Sequence, residues 1–219
     1  MGQTDWQFLQ SGDPILDARQ DNALVPDDQL VHDIYCRRFD GGHSHLYFKY
    51  ISLPFNVAQD FSVRSAFSIE KTDVGKQSVG VGCRMDENVE ITPVSDILNR
   101  FSPNGYHLLI EDDYMLRLYR SINSVTTTLF ATQLIGTNGF HKWFHIRLDF
   151  LLQTDGRAVL QVYTNNVQVN GVTIPIWNQI SPDIIENASV LPPYTRAGIG
   201  GQLETGQPLY VDTVEIFRS

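Results

Sequence analysis

Side-chain acid–base chemistry needs two ionisable groups that can reach one reacting atom, and the chain offers few such pairs. Glu111, Asp112 and Asp113 are consecutive acids, but they fall at a chain reversal, where a solvated turn accounts for them. Asp212 and Glu215 stand three apart, and on a regular strand that spacing sends them to opposite faces. His32, His43, His45, His107, His141 and His145 never take an H-E-x-x-H spacing, and no Ser lies in a G-x-S-x-G elbow. His43 and His45 could share a strand face, yet no third ligand completes a metal site. These spacings predict a protein that is not an enzyme.

Metal binding is judged by the same test. Calcium takes oxygen ligands from loops, and two loops qualify: Asp86, Glu87, Asn88 and Glu90, and Asp112 with Asp113. Neither follows a spaced calcium-loop pattern. The expectation is no cofactor, with Ca2+ at one of these loops as the alternative to solvated acids. Cys36 and Cys83 are too few for a disulfide scaffold or a cysteine metal site, and read as two buried reduced thiols.

The elements that would position such groups are strands. From Trp143 to Leu152, Phe144, Ile146, Leu148, Phe150 and Leu152 alternate with His145, Arg147 and Asp149, the two-residue period of a strand with one buried face. Residues 153–156, with an Asp-Gly pair, turn the chain into Arg157 to Thr164, so the two segments form a long hairpin. Alternation also marks Phe61 to Ile69 and Val79 to Met85. Tyr106 to Glu111 and Tyr114 to Arg120 read as strands joined by Asp112-Asp113, and the Thr-rich Val125 to Ala131 reads as a further strand. Ile34 to Phe39 and His45 to Ile51 flank Gly41-Gly42 and are expected to pair. Gly80 and Gly82 strip one face of their strand of side chains, for close packing or for a shallow groove. A helical turn is expected at Ser95 to Asn99. The long excursion from Asn166 to Tyr194 holds an Asn170-Gly171 hairpin and a Ser181-Pro182-Asp183 helix start.

About eleven short strands and no long helix predict an all-β, antiparallel two-sheet sandwich. Its core is expected to include Phe67, Val81, Leu108, Leu118, Ile146, Leu148, Leu160 and Val162. Residues 1–30 lack periodicity and carry Ser11-Gly12-Asp13-Pro14 and Pro26-Asp27-Asp28, so they read as an extended N-terminal arm, with the sandwich domain at 31–219. So few apolar residues offset little of the backbone entropy of ordering the arm. Docking on a neighbouring subunit or a capsid surface is expected, with Trp6, Phe8 and Leu9 as anchors. A net charge of -9 and the lack of basic clusters argue against nucleic acid. No apolar run is long enough for a membrane span, and the N-terminus lacks the pattern of a secretory signal. For that reason Asn187-Ala188-Ser189 reads as a chance glycosylation sequon.

Three stretches carry a resemblance. Gly105-Tyr106-His107-Leu108-Leu109-Ile110 running into Leu116-Arg117-Leu118-Tyr119-Arg120, then Trp143-Phe144-His145-Ile146-Arg147-Leu148, then Val211-Asp212-Thr213-Val214-Glu215-Ile216 resemble the hairpins and closing strand of concanavalin A-like (laminin G-like) jelly rolls. The resemblance covers roughly residues 60 to 218 and implies that fold. It implies a glycan ligand or a glycan-active enzyme as well, but the hydrolase pattern Glu-x-Asp-x-x-Glu is absent. Sugar rings stack on flat side chains, and Tyr106, Tyr119, Tyr163, Trp177 and Tyr194 are the candidate glycan-binding residues.

The resulting expectation is a non-catalytic structural or glycan-binding surface module. A sandwich of a type common outside cells, without an export signal, suits a virion component such as a phage capsid decoration or fibre-type protein. Its partners would be further subunits of a homo-oligomer or capsid proteins, and cell-surface glycans. A cytoplasmic or non-classically exported lectin-like domain is the alternative setting, and a glycoside hydrolase or polysaccharide lyase the alternative function. If Glu111 is a turn residue and no more, Glu111→Gln leaves polysaccharide untouched as the wild type does. Reducing-end release that disappears in the variant would reverse that reading.

Overall fold

The structure is a computed structural model that describes residues 7–11, 15–20, 35–40, 45–49, 51–52, 60–69, 78–85, 104–111, 113–135, 142–165, 167–169, 172–174, 177–191, 196–202 and 208–217. In chain order the strands are β1 (Gln7–Ser11), β2 (Ile15–Gln20), β3 (Tyr35–Asp40), β4 (His45–Lys49), β5 (Ile51–Ser52), β6 (Phe61–Ile69), β7 (Ser78–Met85), β8 (Gly105–Glu111) and β9 (Met115–Ile122). They continue as β10 (Val125–Ile135), β11 (Lys142–Leu152), β12 (Arg157–Asn165), β13 (Val167–Val169), β14 (Val172–Ile174), β15 (Asn178–Gln179), β16 (Ile184–Asn187), β17 (Arg196–Gln202) and β18 (Pro208–Phe217). Among the described residues there is no helix, and hence none long and apolar enough to cross a membrane. The expected turn at Ser95 to Asn99 lies outside the described residues.

Two antiparallel sheets pack as a sandwich. The first runs β14-β13-β10-β9-β8-β7-β17-β5 and the second β15-β12-β11-β6-β18-β3-β2, with β16 also on β12. The β11–β12 hairpin pairs from Leu152↔Ala158 to His145↔Asn165. Its turn is closed by the Gly156 amide donating to the Gln153 carbonyl at 3.1 Å, with Gly156 at φ 80, where a residue with a Cβ would be strained. Alternation then does what it promised. Phe144, Ile146, Leu148 and Phe150 face Leu108, Ile110, Leu116 and Leu118 across one core, and all eight expected core residues are buried in it. Cys83 is a free buried thiol there, its pKa pushed up by burial.

Where the strands go was less legible. β3 and β4 do not pair: β3 lies between β2 and β18 in the second sheet, whereas β4 pairs with β1. β3 and β4 are therefore not the two arms of one hairpin. Two stretches of the expected arm are strands of this fold. β2 adds an edge to the second sheet through Ile15↔Asp40 to Gln20↔Tyr35, and Phe8 and Leu9 in β1 stand opposite Phe48 and Tyr47. Trp6 lies outside the described residues.

Two further expectations are corrected by local irregularity. Ser181-Pro182-Asp183 starts no helix. Pro182 cannot donate to a ladder, so it splits the edge pairing of β12 between β15 and β16. The Ser181 hydroxyl fills the gap by accepting from the Val162 amide at 3.0 Å. In β18 a bulge between Asp212 and Val214 sets Asp212 opposite Ala66 and Glu215 opposite Arg64. Ala66 and Arg64 are two apart, so one extra residue brings positions 212 and 215 to the same face, against the expectation from spacing.

The bare face of β7 is filled from within. Arg84 takes a left-handed φ of 54, and the Met85 side chain lies over Gly82 and Gly105, where added Cβ atoms would meet its Sδ at 2.8 Å and its Cγ at 2.7 Å. At Gly80 a Cβ would stand 1.9 Å from the Leu108 carbonyl oxygen. Close packing, not a groove, uses these glycines. Gly80→Ala is expected to cost about 1 to 3 kcal/mol as overpacking against backbone, and Leu148→Ala about 2 to 5 kcal/mol as a core truncation. Denaturant unfolding checks both, and a Leu148→Ala loss under about 0.5 kcal/mol would mean β11 is inside out.

Candidate functional site

The outward face of the second sheet collects the polar and aromatic residues that alternate with the core. Register makes one row of Arg64, Arg147, Tyr163 and Gln179 on four successive strands, β6, β11, β12 and β15. A neighbouring row holds Ser62, Asp149 and Gln161, and on the other side Ala66, His145 and Asn165. Trp177 precedes β15, half-buried, its ring 6.3 Å from that of His145 and 5.5 Å from the Arg64 guanidinium. Arg147 lies 4.7 Å over the Tyr163 ring, a contact in which the ring quadrupole attracts the cation.

Among the described residues, Arg147, Asp149 and Asp183 are tied down on this face. Arg147 grips Asp149 with both ends of its fork, Nε donating at 2.6 Å, and the Asp149 side chain is only 3 % exposed. That ion pair rigidifies the Tyr163 platform from below its ring. The Tyr163 hydroxyl donates to Gln161 Oε1 at 2.9 Å. Gln161 Nε2 in turn donates to Asp183 Oδ1 at 2.7 Å, and Gln179 Nε2 donates to the same oxygen at 2.9 Å. The break at Pro182 is what swings Asp183 out to this meeting point. Hydrogen bonds from Gln161 and then Gln179 hold its carboxyl below the usual carboxylate range, so it is ionised at neutral pH. Beside His145, the Asn165 side-chain oxygen is buried without a hydrogen-bond partner.

Of the five aromatics expected to meet a glycan, the structure brings Tyr163 and Trp177 to this one face. Tyr106 is corrected: at 1 % exposure it belongs to the core, with its ring 6.1 Å from Phe150, and offers no stacking surface. Tyr119 is corrected too, since it is buried against Leu109 on the opposite sheet and donates its hydroxyl to Glu111. Burial first, and then that bond, push its phenol up. Tyr194 lies outside the described residues. Glu111 is not the solvated turn residue of the sequence reading. Arg117 pairs with it and, at 3.2 Å, with Asp113.

Arg64, Arg147, Gln161, Gln179 and Asp183 were missed from sequence. The first two were visible as outward positions of alternating strands. The glutamines and Asp183 depend on how the edge of β12 is broken. Among the described residues no three His, Cys, Asp or Glu side chains group as a metal site, and residues 86–90 and Asp112 of the expected calcium loops lie outside them.

Solved structures share this architecture. The carbohydrate recognition domain of Emp46p in its metal-free form superposes with a TM-score of 0.57 at 8% identity, covering 98% of this chain and 88% of that one. A protein of unknown function from Shewanella oneidensis MR-1 gives 0.54 at 11% identity, covering 98% and 79%. An endo-β-1,4-glucuronan lyase from the fungus Trichoderma reesei gives 0.50 at 10%, covering 99% and 92%. The chain has the concanavalin A-like jelly-roll fold. At these identities the likeness is one of fold. No family profile matches the sequence, and a search of curated proteins found no significant match. Carbohydrate recognition and glycan cleavage both occur on concanavalin A-like sandwiches, so the site itself must argue function.

The ion pair under Tyr163 has a measurable consequence. Arg147→Ala strands the buried Asp149 carboxylate, and the expected loss is about 3 kcal/mol, near the lower end for a buried pair because Arg147 is itself 21% exposed. Denaturant unfolding reads it, and a loss near zero would mean that Asp149 needs no partner.

Proposed function

We propose that this chain is a non-catalytic glycan-binding module whose ligand lies on the outward face of the second sheet, across Trp177, Tyr163 and the Gln161–Asp183–Gln179 network. The observation that carries the reading is the meeting of two aromatic rings with planar amides and a fixed carboxylate on one rigid sheet. Sugar rings present apolar C–H faces that stack on aromatic side chains, and their hydroxyls need the planar donors and acceptors beside them. The concanavalin A-like fold supports the reading as an architecture that other carbohydrate recognition domains use.

The bulge in β18 motivates a second reading. With positions 212 and 215 on one face, a strand can carry two acids at the spacing that general acid–base cleavage uses. The glycan-active alternative therefore has a defined test on Asp212 and Glu215.

A finer setting, a virion-surface component such as a phage decoration or fibre-type protein, suits a module that meets cell-surface glycans from outside. Antibody labelling of purified particles tests it, and absence of the chain from particles would remove it.

The function itself is tested by presenting the purified chain to a glycan array and following the retained ligands by calorimetry. Trp177→Ala is expected to weaken binding by about tenfold or more, roughly the worth of one aromatic stacking contact, with thermal unfolding unchanged. Incubation with the bound polysaccharide is expected to release no new ends. Release that is lost in Glu215→Gln would make the chain an enzyme, and failure of every glycan to bind would sink the module reading.

A further inference from the structure

The hydrogen-bond network on this face has a direction, and that direction selects a ligand. Most side-chain donors of the network are turned inward. Tyr163 donates to Gln161, Gln161 donates to Asp183, and Gln179 donates both to Asp183 and, at 2.9 Å, to the Ser181 carbonyl. The atoms left over include two acceptors. Among the described residues, Oδ2 of Asp183 and Oε1 of Gln179 accept no hydrogen bond, and Asp183 is exposed to solvent.

Charge points the same way. Arg147, the cation at the centre of the face, is neutralised by Asp149 in a two-pronged ion pair, and Arg64 is engaged with the Trp177 ring. Asp183 adds a negative charge at the rim, on a chain whose net charge is -9. An acceptor-rich, negatively charged rim beside aromatic rings favours hydroxyl donors. Beside Asp183 a carboxylate or sulfate would be desolvated against a like charge.

We propose that the ligand of this face is a neutral, hydroxyl-rich glycan, with Asp183 as the specificity-determining acceptor that admits sugar hydroxyls and rejects uronate or sulfate groups. The inference rests on the glycan-binding reading above and names its substrate class. Pro182 and Ser181 are then the positioning residues, because the broken edge of β12 sets where Asp183 stands.

The test uses the full chain, with neutral mannan, glucan and galactan fragments and with polygalacturonate, glucuronan and sulfated galactan fragments of matched length. The wild type is expected to bind at least one neutral fragment at least about tenfold more tightly than any anionic one. Asp183→Asn keeps the Oδ1 that accepts from Gln161 and Gln179 but places an N–H where Oδ2 was. It should weaken neutral binding by about tenfold, the scale of one charged hydrogen bond, and narrow the gap to the anionic fragments, with unfolding unchanged. Anionic fragments that bind as well as neutral ones, and lose binding in Trp177→Ala, would overturn the neutral-ligand inference while leaving the glycan site standing. An Asp183→Asn variant that keeps full neutral affinity would overturn the role of Asp183. If no fragment of either class binds, both the site and the inference fall together.

Discussion

The sandwich depends on the burial of one face of β11 against the inner face of the first sheet, at β7 and β8. Phe144, Ile146, Leu148 and Phe150 fill the space between the sheets, and a hairpin with one apolar face is unstable until a second sheet covers it. Because side chains alternate strictly, committing those residues inward also commits His145, Arg147 and Asp149 outward. The functional face is thus the other side of the core: a slip of one residue in β11 would bury the arginine and expose the leucine.

The second constraint is the edge of β12. An uninterrupted edge partner would have continued the ladder past Val162 and left Asp183 in a strand. Pro182 forbids that, Ser181 repairs the one amide that would otherwise go unpaired, and the carboxylate emerges between two glutamines from different strands. Beyond the break, β16 is fastened across the sandwich by Arg120 of β9, which reaches Glu186 at 2.5 Å. The loop that carries the acceptor therefore hangs between two fixed strands, which keeps an exposed carboxylate in one place without burying it.

The opposite sheet shows how similar residue types serve packing. Glu111, Asp113, Arg117 and Tyr119 form a network of the kind a site might use. Yet Tyr119 is buried with Leu109, and its hydroxyl is spent on Glu111. An aromatic whose ring is covered and whose hydroxyl is satisfied offers a ligand nothing, whereas Trp177 and Tyr163 keep part of their surface open.

Sequence by itself determined what alternation and turn chemistry determine. It placed the β11–β12 hairpin, the Asn170-Gly171 hairpin, the residues of the core and the all-β class, because burial of every second residue leaves a periodic record in the chain. It also nominated Trp177 and Tyr163, though alongside Tyr106 and Tyr119, since a tyrosine in an alternating strand reads the same whether its face is covered or open. Tertiary structure decided the partners of β3 and β4, which depend on contacts distant in sequence. It decided the shared face of positions 212 and 215, because a bulge shifts the period by one residue and no local signal announced it. It alone assembled Gln161, Gln179 and Asp183, since their meeting depends on where two strands end beside a third, and hydrogen bonds between side chains from separate strands leave no spacing to read.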